Sequence, residues 1–163
     1  LPNVSEPMPT STHSGWTLLI GEVVPTKWDG AHMQAAHVYA GLSSARRLKV
    51  GCVLVRDDRI IGIGYNGMPA GWDNNCESLE PDGSLQTRPE VLHAESNAIA
   101  KLARSTESAS GATCYVTHAP CLDCAKLLYQ AGITRVIYGM AYRDTRGMDF
   151  LERCNIEVVQ HDR

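Results

Sequence analysis

No stretch of this sequence is apolar for long enough to cross a bilayer, and its first residues have neither the basic flank nor the apolar core of a secretory signal. Both absences lead to the expectation of a soluble, cytoplasmic protein with no membrane partner. Basic residues are not in excess: 15 Lys and Arg stand against 18 Asp and Glu, for a net charge of -3 and a pI near 6.1. Nucleic-acid binders display a clustered basic surplus, so no nucleic-acid partner is expected, whereas a single phosphate needs only one or two cations. No internal repeat and no heptad pattern appears, which excludes solenoids and coiled coils. The 163 residues suit one domain with a single core. Pro2, Pro7, Pro9 and a Ser/Thr cluster make residues 1–14 an irregular tail, leaving 15–163 as that domain.

The six cysteines do not read as a disulfide framework. Cys52, Cys114 and Cys154 fall in apolar strand or helix patterns, as in a reducing compartment. Cys121 and Cys124 stand three apart behind Pro120, a spacing that lets two thiols grip one ion from a single helical turn. A helix N-terminus there favours thiolate over thiol. His93 and Glu95 sit two apart at the head of another helix-like run. One His and two Cys make three protein ligands for one Zn2+, which leaves the fourth tetrahedral position open for water, as in catalytic sites. Glu95, beside a ligand without being needed as one, is placed to move protons. The chemistry such a set performs is hydrolytic deamination of an amidine carbon.

Blander readings exist for each residue. The Cys pair could be a redox couple or part of a structural zinc knuckle with His118, Cys114 or Cys76 as fourth ligand, but neither uses His-x-Glu. His93 alone would be an ordinary helix histidine, and Glu95 a solvated first-turn charge. Cys76 with His32 and His37 has no compact metal-binding spacing, and His13 and His161 read as exposed tail residues.

Periodicity places a first helix over about residues 31–47, ending in basic residues, then a hairpin of strands 50–55 and 59–64 around Arg56-Asp57-Asp58. Residues 66–90, rich in Gly, Pro, Asn and Asp, read as a long binding loop. Helix 90–104, strand 112–118 and helix 121–131 carry the metal residues. Strand 135–139, helix 147–153 and strand 156–160 follow. Helical crossovers make successive strands parallel, so the expectation is a three-layer α/β/α sandwich on a mixed five-stranded sheet with an antiparallel hairpin edge.

At His93-Ala94-Glu95 and Pro120-Cys121-Leu122-Asp123-Cys124 the chain resembles the cytidine and deoxycytidylate deaminase superfamily. Within it, the resemblance is to deoxycytidylate (dCMP) deaminases, carried by Gly64 to Gly71, His93 to Ile99, Tyr115 to Thr117 and Cys121 to Lys126, and spanning roughly residues 28–160. It implies a cytidine-deaminase-like fold, one catalytic Zn2+ per chain, and conversion of dCMP to dUMP with release of ammonia. It also implies a sugar hydrogen bond from Asn66, which otherwise reads as a turn residue. Ala94 would offer its backbone N–H to the pyrimidine, and Tyr142 a stacking face. Arg143 and Arg146 are candidate phosphate clamps, with a solvated turn as the plain alternative. The resemblance further implies a homo-oligomer, with a hexamer favoured, and dCTP/dTTP effectors bound with Mg2+. Tyr65, Gly67 and Arg104 are the places where a triphosphate would sit. Other readings are deamination of cytidine, guanine or an RNA adenosine, and a non-catalytic zinc scaffold, which would have no use for Glu95.

Overall fold

The computed structural model describes residues 25–161, so the 1–14 tail and His13 lie outside the described residues. Thr26 opens α1 (Lys27–Ala40) with a reciprocal capping box: its side chain accepts from the Asp29 N–H, and the Asp29 carboxylate accepts from the Thr26 N–H. The helix stops at Gly41, well before the expected end at residue 47. Arg46 and Arg47 are therefore not its basic last turn; they stand in the connection to the sheet, where β3 takes their N–H groups.

β1 (Gly51–Arg56) and β2 (Arg59–Tyr65) form the expected antiparallel hairpin. Its two turn residues, Asp57 and Asp58, have φ of 52° and 54°, the left-handed pair that tight hairpins favour. The segment expected to be one loop over 66–90 contains a second, two-stranded sheet, β3 (Glu77–Leu79) and β4 (Leu85–Thr87). It reverses through Gly83 at φ 82°. Three-residue strands with mostly exposed side chains leave no alternation to detect in sequence.

α2 (Ala94–Leu102), β5 (Thr113–His118), α3 (Leu122–Gln130), β6 (Arg135–Met140), α4 (Arg146–Arg153) and β7 (Glu157–Gln160) complete the chain. The main sheet has the order β2-β1-β5-β6-β7. β1 pairs antiparallel with β2 and β5, and the helical crossovers make β5-β6 and β6-β7 parallel. Side chains alternate across it into two apolar clusters. Cys52, Leu54, Cys114, Val116 and Val136 face α2, α3 and α4; Val53, Val55, Tyr115 and Ile137 face α1. The three-layer sandwich on a mixed five-stranded sheet is thus as expected, with α1 alone on one side.

One ion network pins α1 to the sheet. Asp29, 1 % exposed, accepts from the Tyr115 hydroxyl at 2.8 Å and from Arg135 Nη1 at 2.7 Å. His161 is not an exposed tail residue: it is half-buried, its N–H donates to the Tyr138 carbonyl at 2.8 Å, and its ring lies beside Gly30 of α1. Among the described residues no helix is long and apolar enough to cross a membrane.

Candidate active site

Two helix N-termini meet at one end of the sheet. His93 is the N-cap of α2 and Cys121 the N-cap of α3, with Cys124 one turn on in α3. Neither cap residue spends its side chain on the helix backbone, which leaves both free to face each other. The ligand atoms of His93, Cys121 and Cys124 lie within 4.8 Å of one another, and among the described residues this is the one His/Cys/Asp/Glu cluster of three or more. His93 Nδ1 is 3.4 Å from Cys124 Sγ and 3.6 Å from Cys121 Sγ. Bonds of ~2.3 Å to sulfur and ~2.0–2.1 Å to nitrogen at tetrahedral angles separate such ligand atoms by roughly 3.6 Å. The donor set therefore fits zinc in both chemistry and spacing. Neither His118, Cys114 nor Cys76 joins the cluster, so a four-ligand structural site has no fourth member among the described residues. Cys76, His32 and His37 do not come together either, and His32 instead stacks on Trp28 and tilts against Tyr115.

The electrostatics suit a cation. A hydrogen bond with Cys124, and then one with His93, holds the Cys121 thiol down to about 4. The same bond with Cys121, with burial and the nearby Glu95 charge, pushes Cys124 up, so without a cation only one of the two thiols ionises readily. The bond to Cys121 raises His93 although burial opposes it. Glu95, in the first turn of α2 and 4 % exposed, is raised chiefly by burial.

His93, Glu95 and Cys121 line a cavity of about 400 Å³. Asn66, Ala94 and Tyr142 line it with them, while Arg143, next to Tyr142, is exposed and off its wall. Asn66 Oδ1 accepts from the Val50 N–H and Nδ2 donates to the Leu48 carbonyl, each at 2.8 Å. One amide N–H of Asn66 remains for a ligand. Arg146 is bound to Asp144 through four hydrogen bonds of its own turn. Tyr65 sits under the Lys101 ammonium at 5.1 Å, Gly67 bridges to Leu92, and Arg104 is exposed just beyond α2.

Four polar lining residues were not singled out from sequence for this role: Arg47, Glu77, Thr87 and His118. Arg47 was masked by its place at the end of a helical pattern. Glu77 and Thr87 were masked by the unrecognised hairpin. His118, whose position just before the Ala119-Pro120-Cys121 turn was a usable signal, is held below its ordinary value by burial.

The family described as "Cytidine and deoxycytidylate deaminase zinc-binding region" matches residues 26–140. The solved structure of dCMP deaminase from the cyanophage S-TIM5 in complex with dCMP and dUMP is similar with a TM-score of 0.78 and 40% identity, covering 85% of this chain and 99% of that one. The deoxycytidylate deaminase of Enterobacteria phage T4 is 33% identical over 77% of this chain and 86% of its own length. That of Schizosaccharomyces pombe is 33% identical over 82% of this chain, which spans 44% of the yeast enzyme.

Proposed function

The chain belongs to the cytidine and deoxycytidylate deaminase family, and from that premise we propose that it hydrolyses dCMP to dUMP and ammonia, consuming one water. The observation that carries the reading is the His93, Cys121, Cys124 cluster with the buried Glu95 on the wall of a cavity that also presents Arg47. Likeness to dCMP deaminases along most of the chain supports the substrate.

His93 Nδ1 and the Cys121 and Cys124 thiolates would hold one zinc. When bound, zinc supplies Lewis-acid activation of a water molecule near neutral pH. Glu95 is placed to take one proton from the attacking water and pass it to N3 of the cytosine ring, and then to carry the second proton of that water, left on the C4 hydroxyl, to the departing amine. Its raised basicity suits both the acceptance and the return. Ala94, first residue of α2, has an N–H with no partner inside the helix and lines the cavity, where it is offered to the pyrimidine. Asn66 gives its remaining amide N–H to the sugar, and Tyr142 at the mouth covers the base. Arg47 from the wall and Arg143 from the exposed turn beside Tyr142 grip the 5′-phosphate.

The assembly is a homo-oligomer, with a hexamer favoured, working in the cytoplasm without nucleic-acid or membrane partners and supplying dUMP for thymidylate synthesis. dCTP and dTTP, bound with Mg2+, act as effectors near Tyr65, Gly67 and Arg104, where Lys101 adds a further cation. The test is ammonia release from dCMP, CMP, deoxycytidine and cytidine by zinc-loaded protein, with sedimentation and triphosphate titration alongside. dCMP is expected to react best. Equal efficiency on deoxycytidine would move the assignment to a nucleoside, and a monomer indifferent to both triphosphates would remove the regulation alone.

A further inference from the structure

Part of the lining of the cavity comes from two segments far apart in the chain, the 43–50 connection and the β3–β4 hairpin. Glu77 sits between them, 1 % exposed. A buried carboxylate beside a site for an anion is costly unless its charge is used, and here it is used on the backbone. Oε1 accepts from the N–H of Arg46 at 2.9 Å and of Arg47 at 3.1 Å, while Oε2 faces Arg46 Nε at 3.4 Å. Burial pushes the Glu77 carboxyl up, but the Arg47 and Arg46 N–H groups and the Arg46 guanidinium more than reverse it, so the group stays ionised.

Thr87 stands directly across the ladder from Glu77, and its Oγ1 accepts from Arg47 Nη1 at 2.9 Å. Arg47 is thus held twice by one rung of the hairpin, by its backbone through Glu77 and by its guanidinium through Thr87. On the other flank, Asn66 fixes Leu48 and Val50 of the same connection. An arginine on an irregular segment loses backbone and side-chain freedom when it closes on an anion, and anchoring it beforehand removes part of that loss.

We propose that Glu77 is a positioning residue that fixes the Arg46–Arg47 backbone so that Arg47 meets the 5′-phosphate, and that the β3–β4 hairpin thereby sets the preference for nucleotide over nucleoside. This rests on the reading of the cavity as a dCMP site. Glu77 acts through Arg47 and does not touch the reacting ring. Its carboxylate is turned to peptide N–H groups, so its charge is spent before a phosphate arrives.

The test compares kcat/KM on dCMP and on deoxycytidine for zinc-loaded full chains carrying Glu77→Ala, Glu77→Gln or Thr87→Val. Glu77→Ala is expected to cut the dCMP preference about tenfold or more, mainly through KM, while efficiency on deoxycytidine falls less than about threefold. Glu77→Gln keeps an oxygen that can accept both N–H groups and should retain most of the preference. Thr87→Val, at an exposed position, should lower it in the same direction by a smaller factor, and it decides the matter if Glu77→Ala does not fold. Equal losses on both substrates, or an unchanged preference in Glu77→Ala or in Thr87→Val as the deciding variant, would overturn the proposal alone. A wild-type chain with no preference for dCMP would overturn the reading of the cavity and the proposal with it.

Discussion

Gly64→Ala tests whether the contact between β2 and α2 sets the geometry of the active site. A Cβ built on Gly64 would lie 2.1 Å from the Ala94 carbonyl oxygen, 2.6 Å from the Ala98 nitrogen and 3.0 Å from the Ala98 Cβ. Two of the three obstacles are helix backbone, which cannot rotate aside as a side chain can. Ordinary van der Waals contact begins near 3.4 Å, so β2 and α2 must part by about 1.3 Å. Whichever element yields, the end of β2 carrying Asn66 moves away from His93, Ala94 and Glu95 at the head of α2. Overpacking of this kind costs about 1–3 kcal/mol, and a misplacement of about 1 Å at the chemistry costs about 10²-fold in rate. If α2 moves, the 3.4 and 3.6 Å separations between His93 and the two thiols also open, and zinc is held less tightly. The assay is kcat on dCMP, zinc per chain after dialysis, and thermal midpoint. Gly30→Ala in α1 is the control: the same methyl meets only a His161 ring atom at 3.7 Å and should stabilise by about 0.5–1 kcal/mol. Wild-type turnover, zinc content and midpoint in Gly64→Ala would refute the reasoning.

Cys121→Ala or Cys124→Ala should lose zinc and stability together, since each removes one of three ligands and binding energy is coupled to folding; one zinc per chain by elemental analysis of either variant would contradict the ligand set. Asp29 predicts an acid limb of stability. Burial pushes its carboxyl up, but Arg135, the Thr26 N–H and the Tyr115 hydroxyl bring it down to about 2 from an ordinary 3.8. The folded-state value being the lower one, its contribution is complete above pH about 4, is lost as pH falls toward 2, and amounts to roughly 2 kcal/mol. Denaturant melts between pH 2 and 5 should show that slope, and Asp29→Asn should flatten it while destabilising the protein at neutral pH.

What was readable from sequence is what local pattern encodes. The β1–β2 hairpin, the crossover helices and the parallel strands follow from hydrophobic periodicity and turn residues, because each is settled within a dozen neighbours. His93, Cys121 and Cys124 converge because two helix starts at the same end of one sheet share a place, and their spacings announced a common ion. The part of the lining that carries Arg47 and Glu77 was not readable. Arg47 and Glu77 are 30 residues apart, and their contact is a side chain on backbone N–H groups, which leaves no periodic trace. The helical pattern over 31–47 absorbed Arg46 and Arg47, although Gly41 ends α1 and frees them. The exposed three-residue strands of β3 and β4 looked like loop for the same lack of pattern.

Whether zinc held by His93, Cys121 and Cys124 works with Glu95 to deaminate dCMP is measured most directly as stoichiometric ammonia and dUMP formation by the wild type and by Glu95→Gln, each with its zinc content determined. Equal zinc is expected in both, with turnover on dCMP in the wild type and a loss of at least about 10²-fold in the variant, whose amide cannot accept the proton. Near-normal turnover of dCMP by zinc-loaded Glu95→Gln, or no ammonia from the zinc-loaded wild type, would contradict this chemistry.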